Sequence, residues 1–396
     1  MQKLTIDLLP TTSFINSDGT LDLKSALIFS GKAAGVCYKQ DGYEALEKEP
    51  LEATLKRVED TMINDHHSVY DHVNISLNIK AMPKIMAMLL NNEKQYNTSE
   101  KSGRYTKVIE EENSVISKLE IELYQKWVKI FFDIMKKEYG DYFNDFRLRT
   151  KAQENARYLI TVFLPTEMIY TLPLGQLNKL IGFMQEAINR PDNNEITQSL
   201  IPYFEMFIDE CERLNLSISG LQTNNKHRDF SLFAARPVQE MFGDVYATNY
   251  EGTYTALAQL MRHRTLSYNV MPTENDKFYI PLILKDDDSL VNEWLSDSEL
   301  IRDVNPQGSL VLINEMGTFD NFLLKAKERL CTHVQLESQQ ITKETLIRYR
   351  DALKAVNNDL YEKILKYDHG ARCNFPDFHC TNDCKFTAGK KLVRRI

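Results

Sequence analysis

The stretch YTALAQLMRHRTLSYN (254–269) decides how the chain is read. Ala256, Leu257, Leu260 and Met261 fall at helical spacing, so an apolar helix is expected to start near Tyr254 and pass into a polar stretch at Arg262. Arg262, His263 and Arg264 stand at its C-terminal end and point in different directions, which suits an extended anion better than a lone carboxylate. Taken alone they also fit a solvated basic helix end, favourable to the helix dipole. The first half repeats the plan. VNISLNIK (73–80) alternates Val73, Ile75, Leu77 and Ile79 with polar neighbours and reads as a strand buried on one face. Residues 82–91, with Ile85, Met86, Leu89 and Leu90 after Pro83, read as a helix that runs into the polar loop NEKQYNTSEKSGRYT. The two halves look like copies.

A length of 396 residues fits two domains better than one, since domains run to roughly 100–200 residues. Hydrophobic residues make up 43% and charged residues 26%, enough apolar material for sizeable cores and no composition for bulk disorder. Against 48 Lys and Arg stand 56 Asp and Glu, and the net charge of -8 makes a long nucleic acid a poor first partner. The start MQKLTIDLLPTTSF lacks the basic and apolar regions of a signal peptide, and no apolar run is long enough to span a bilayer, so a cytoplasmic protein without membrane contact is expected.

Long helices are expected at 116–138, with a stripe of Leu119, Leu123, Trp127, Ile130 and Ile134 ended by Gly140, and at 343–367, ended by Gly370. FYIPLIL (278–284) is a short strand candidate. The aperiodic polar stretch SISGLQTNNKHRD (217–229) marks the boundary, giving an N-terminal half at 1–222, a C-terminal half at 223–370 and a cysteine-containing basic tail at 371–396. The six cysteines do not form a disulfide framework. Cys373, His379, Cys380 and Cys384 are zinc-ligand types, but no second tight pair accompanies Cys380 and Cys384, and no metal is expected. The ending KKLVRRI reads as a solvated terminus or a weak anion contact.

QLMRHRTLSYN (259–269) resembles the signature of the flavin-dependent thymidylate synthases, R-H-R-x-x-S-x-N-x-x-S-x-R-Y, with Gln259 three residues upstream. Arg262, His263, Arg264, Ser267 and Asn269 match; the tail positions hold Pro272, Glu274 and Asn275 instead. The missing tail stands in the first half as Glu100, Ser102, Gly103, Arg104 and Tyr105, where the R-H-R positions hold Asn92, Glu93 and Lys94. His66-x-Ser68-x-x-Asp71-His72 is similar to the family's H-x-S/T-x-x-E-H block, and Ala156-Arg157 to its A-R pair. Arg329, His333, Gln335 and Glu337 resemble its R-x-x-x-H-A-Q-x-E block. Arg302 also falls at an A-R position, while the family's N-x-R contact is missing from both halves, at Pro173 and Gly175 and at Thr318 and Asp320.

The resemblance implies an α/β (α+β) fold of two tandem synthase-like domains, mainly antiparallel sheets with long helices, and two chains forming a homodimer that mimics the family's tetramer. It implies reductive methylation of dUMP to dTMP with FAD, and with NADPH and methylenetetrahydrofolate as co-substrates, at a composite site that pools the surviving residues of both halves. The resemblance places Gln259, Arg262, Arg329, Glu100, Ser102, Gly103, Arg104 and Arg157 on the nucleotide. On the flavin it places His66, Asp71, Arg262, His263, Arg264, Ser267, Asn269 and His333, with Arg329, Arg262 and His66 catalytic. Two other readings stand beside it: another C5 modification such as hydroxymethylation, and a paralogue that binds a nucleotide without chemistry.

Overall fold

The computed structural model describes residues 2–102, 115–190, 194–222, 229–234, 239–273, 277–382, 384–386 and 392–396. Helices and antiparallel sheets alternate, in two compact units: Met1–Lys101 with Pro165–Ser231, and Ser102–Leu164 with Leu232–Ile396. Among the described residues no helix is long and apolar enough to cross a membrane.

In the first unit, strands β1 (Thr5–Leu8), β2 (Asn74–Pro83), β3 (Asn97–Glu100) and β4 (Pro165–Pro173) form an antiparallel sheet ordered β1-β2-β4-β3. The alternation read in 73–80 is real, with Ile75, Leu77 and Ile79 fully buried. The strand runs three residues further because Ala81, at φ 56°, forms a bulge that resets its pairing with β4 between Ile79 and Met82. Helices α1 (Leu23–Gly35), α2 (Gly42–Glu47) and α3 (Leu51–Ile63) precede β2, and α4 (Lys84–Asn92) follows it directly. In the same way α7 (Leu174–Asn189) follows β4, and α8 (Glu195–Arg213) lies beyond. At both junctions a proline, Pro83 and Pro173, ends the strand, where its fixed φ and missing N–H cost nothing.

The start of the expected boundary is not a free linker. Buried Asn178 of α7 donates Nδ2 to the Leu174 and Leu216 carbonyls, while its Oδ1 accepts from Ile218 N at 2.7 Å and from Gln222 Nε2. Gly182 allows this approach: a Cβ there would lie 2.4 Å from the Gln222 carbonyl oxygen. Residues 217–222 are thus fastened to α7, and 223–228 lie outside the described residues.

The second unit repeats the plan. Strands β5 (Val245–Thr253), β6 (Ser267–Pro272) and β7 (Leu310–Thr318) form an antiparallel sheet ordered β5-β7-β6, matching β2-β4-β3. Helix α9 (Tyr254–Leu260) follows β5 directly and α11 (Phe319–Arg329) follows β7. Here threonines replace the junction prolines, Thr253 accepting from Ala256 N and Thr318 from Asn321 N as N-caps. The long helix expected at 343–367 is two helices, α12 (Leu336–Val356) and α13 (Asn358–Leu365), because extended Asn357 ends one and caps the other through its side chain. FYIPLIL is not a strand. Phe278 makes one bridge to Ser309, and after Pro281 the chain turns into a single 3-10 turn at Leu282–Leu284.

Residues 115–164, which the sequence boundary counts with the first half, pack in the second unit. Helices α5 (Lys118–Tyr139) and α6 (Asp145–Ala156) share a core with α10 (Asp288–Glu299), where the two tryptophans of the chain meet edge to face at 4.9 Å. Trp127 Nε1 donates to Asp297 Oδ2 at 2.7 Å. The buried stripe of α5 runs through Glu120, Tyr124, Trp127, Phe131 and Met135, a rotation of the expected face that leaves Leu119 exposed. Buried Glu120 closes a capping box with Ser117 and accepts from Thr161 N at 2.8 Å.

Two short 3-10 turns, Arg157–Leu159 and Arg302–Val304, stand at equivalent places ahead of β4 and β7. They pair with each other: Thr161 bridges Pro306, Val162 N donates to Asn305 O, and Gly308 N to Tyr158 O. The basic tail also belongs to this unit. Tyr139 donates its hydroxyl to Val393 O, and Arg395 ion-pairs with Glu138 and Asp286, so this ending is not simply solvated. Among the described residues no group of three His, Cys, Asp or Glu stands close enough to hold a metal ion.

Candidate functional site

The polar cluster of the second unit is built on Gln335, the residue that precedes α12. Gln335 is buried, and its Oε1 accepts from Gln259 Nε2 at 3.0 Å and from Arg157 Nη2 at 3.2 Å. Its amide nitrogen donates to the Tyr158 hydroxyl oxygen. The Tyr158 proton goes to Glu337 Oε2 at 2.8 Å, and Glu337 also accepts from the backbone N–H and hydroxyl of Thr253, each at 2.8 Å.

The order of donors fixes which way the Gln335 amide faces. Tyr158 spends its proton on a carboxylate, so its oxygen can only accept, and the Gln335 amide nitrogen must turn towards it. The Gln335 carbonyl is left facing Arg157 and Gln259. Burial pushes the Glu337 carboxyl above its usual range, against the hydrogen bonds from Thr253 and Tyr158 that hold it down. Burial, then Glu337, raises the Tyr158 hydroxyl well above its ordinary value, so Tyr158 remains a donor.

At the end of α9 the three R-H-R side chains have different surroundings. Arg262 and Arg264 are exposed, while His263 between them is buried. Burial, with Arg329 and Lys325 nearby, lowers the His263 pKa to about 2, so the imidazole is neutral. Its Nε2 lies 3.7 Å from Glu328 Oε2 and has no hydrogen-bond partner among the described residues. An unfolded His263 would titrate near 6.5 and bind a proton that the folded state refuses. Stability should therefore fall by about 1.4 kcal/mol per pH unit below about 6.5. Urea unfolding at a series of pH values should show a shallower fall in His263→Gln than in the unaltered chain.

Beneath this turn lies a fully buried ion pair. Lys325 Nζ of α11 stands 2.8 and 2.6 Å from the two Glu315 oxygens of β7, which also accept the Tyr246 and Tyr250 hydroxyls at 2.6 Å each.

The other sequence-predicted residues are placed as follows. Arg329 ends α11, mostly buried, with Nη2 3.9 Å from Glu328. Ser267 is exposed at the start of β6. Asn269 is buried and donates Nδ2 to the carbonyls of Leu232 and Ala234, fastening that segment to the sheet. His333 is exposed. Arg302, the second A-R arginine, is half-buried, paired with Glu299 and set over the Phe278 ring.

In the first unit, His66 is exposed ahead of the 3-10 turn His67–His72, and His67 is the buried one. Asp71 sits at the start of α7, taking the Gln176 backbone N–H, and burial raises its pKa. A Cβ at Gly175 would come 2.4 Å from Asp71 Oδ1, so the missing arginine of N-x-R leaves room for this carboxylate. Glu100 pairs with Lys84 at 2.6 Å. Ser102, the first residue of the second unit, is half-buried; Gly103, Arg104 and Tyr105 lie outside the described residues. The structure thus brings Arg157 and Gln259 together, with His263 near Arg329. The sequence reading did not assign roles to Gln335, Glu337, Tyr158 and Thr253, and their signal was polar residues inside or beside matched blocks.

Residues 27–207 match the family model of the thymidylate synthase complementing protein, Thy1. That stretch is similar to the Thy1 family. It covers just under half of the sequence and resembles the flavin-dependent thymidylate synthases through the His66, Ser102 and Arg157 blocks; the R-H-R block lies beyond it. No protein of curated function matches the chain. Among solved structures, the UMP/dUMP methylase PolB from Streptomyces cacaoi bound with 5-Br dUMP is 15% identical, covering 54% of this chain and 92% of its own, with a TM-score of 0.32. Thymidylate synthase X from Helicobacter pylori with FAD and dUMP is 14% identical, covering 56% of this chain and all of its own, with a TM-score of 0.31. Scores this low add nothing to the Thy1 match.

Proposed function

We propose that the chain methylates C5 of a uridylate, converting dUMP to dTMP with methylenetetrahydrofolate as carbon donor and NADPH as reductant, at one site pooled from both sequence halves. The observation that carries this reading is the meeting of Arg157, from the first half, with Gln259, from the second, on the single acceptor Gln335. The pairing of the two equivalent 3-10 segments supports a duplicated origin, and on this reading two chains form the homodimer that stands for the family's four subunits.

Arg157 and Gln259, held by a buried network, orient a pyrimidine nucleotide at low entropic cost, and Arg329 neutralises charge that develops on the ring oxygen as C5 becomes nucleophilic. Exposed Arg262 and Arg264 fit the diphosphate of FAD, which when bound supplies the reducing equivalents. Neutral, buried His263 seats the turn that separates these two guanidinium groups. Of the first-half flavin candidates, Asp71 takes the Gln176 backbone N–H at the start of α7 and His66 is exposed.

The test is incubation of the purified chain with dUMP, NADPH, FAD and methylenetetrahydrofolate, followed by the mass of the nucleotide. A product heavier by one CH2 is expected. A gain of CH2O would replace methylation by hydroxymethylation. Unchanged dUMP with no flavin retained would favour a nucleotide-binding paralogue.

A further inference from the structure

A pocket of about 300 Å³ opens in the second unit between α6, the residues that follow α11 and the C-terminal segment. None of Arg157, Gln259 and Gln335 lines it. Its walls are aromatic, from Phe143, Phe146 and Phe386, and its polar edge carries Arg147, Lys151, Glu154 and His333. Phe143 and Phe386 lie with ring centres 5.4 Å apart. Lys151 is answered by Glu154 at 3.2 Å, and the Ile396 backbone oxygen, also at the pocket, accepts from Arg394 Nε at 2.8 Å.

Arg147 is different. Its guanidinium carbon stands over the Phe143 ring, 4.3 Å from the centre, a cation–π contact that uses none of its N–H donors as a hydrogen bond to an acceptor. Among the described residues those donors meet no acceptor; the one hydrogen bond of Arg147 to its surroundings outside the helix ladder is from its backbone N–H to Asn144 Oδ1. A half-buried cation with an open donor fork, beside three phenyl rings, matches a flat ring that carries a carboxylate. A bare phosphate would leave the aromatic walls unused.

We propose that this pocket binds an aromatic carboxylate, with the ring against Phe143, Phe146 and Phe386 and the carboxylate on the Arg147 fork. Two sources share this chemistry: a free aromatic acid, and the p-aminobenzoylglutamate end of a reduced folate. The second rests on the proposed function; the first does not.

Calorimetric titration of the full chain with p-aminobenzoate, p-aminobenzoylglutamate and inorganic phosphate tests the assignment. Saturable binding of at least one aromatic carboxylate is expected, weakened by about tenfold or more in Arg147→Met and partly kept in Arg147→Lys. Tighter binding of p-aminobenzoylglutamate assigns the folate end, and equal affinity assigns a free aromatic acid. Absence of saturable binding, unchanged affinity in Arg147→Met, or phosphate competing at equal concentration overturns the proposal. Should Arg147→Met lose its circular dichroism spectrum, Phe146→Ala takes its place, since that ring is 78% exposed and its loss spares the core. Severalfold weaker binding is then expected, and unchanged affinity contradicts the site.

Discussion

Replacing Glu315 with alanine is expected to cost the second unit about 3–5 kcal/mol, more than any other single change near the site, because it strands a fully buried cation. The Lys325 ammonium has both Glu315 oxygens within 2.8 Å, and the same oxygens take the Tyr246 and Tyr250 protons. Without the carboxylate, Lys325 must lose its proton and two buried hydroxyls lose their acceptor. Lys325→Met should cost less, since Glu315 keeps both tyrosine donors. The double variant Glu315→Leu with Lys325→Met should recover most of the loss, because removing a buried pair together is far cheaper than breaking it. Chemical unfolding of the three variants reads this order directly. A Glu315→Ala protein as stable as Lys325→Met would show that the tyrosines contribute nothing.

Arg157→Ala is expected to lower kcat/KM for the uridylate by about 10- to 100-fold, the cost of one or two charge-assisted hydrogen bonds to the nucleotide, with little change in stability. Tyr158→Phe should reproduce part of that loss without touching the nucleotide. It removes the oxygen that fixes the Gln335 amide, which can then flip and turn its NH2 group towards Arg157 and Gln259. The effect should appear mainly in KM. Glu337 would meanwhile lose one of its three donors, so a modest loss of stability should accompany it.

Much of the fold was legible because its repeated unit is local. A strand runs straight into a helix at Pro83, Pro173, Thr253 and Thr318, and at Pro83, the junction read from the sequence, both periods and the junction residue are written within about twenty residues. What was not legible depends on distant partners. Nothing local in 115–164 says that Trp127 will meet Trp294, so these helices were counted with the wrong neighbours. The stripe of α5 was misjudged by one position because Glu120, polar in sequence, is buried as a cap and as acceptor for Thr161. Asn357 interrupts a run that keeps helical spacing, and Pro281 defeats an apolar run that resembles a strand.

The family resemblance singled out Arg157 and Gln259 but not the Gln335 acceptor on which they meet. Gln335, Tyr158 and Glu337 act through a hydrogen-bond order that becomes visible only when 158 and 337 are adjacent in space. Side chains within one motif also divide by burial in a way that spacing cannot reveal. His263 and Asn269 are interior, while Arg262, Arg264 and Ser267 are exposed. Asn269 spends its amide on the Leu232 and Ala234 carbonyls, a structural task that the R-H-R resemblance alone did not suggest.

The shared acceptor is the centre of the account, and a double-mutant cycle on dUMP affinity addresses it most directly. Arg157→Ala, Gln259→Ala and the double variant should each weaken dUMP binding, with the double losing clearly less than the two single losses together, because both groups are set by one Gln335 carbonyl and serve one nucleotide. Single variants that bind dUMP as tightly as the unaltered chain, or losses that add in full, would contradict a nucleotide site pooled from the two halves of the sequence.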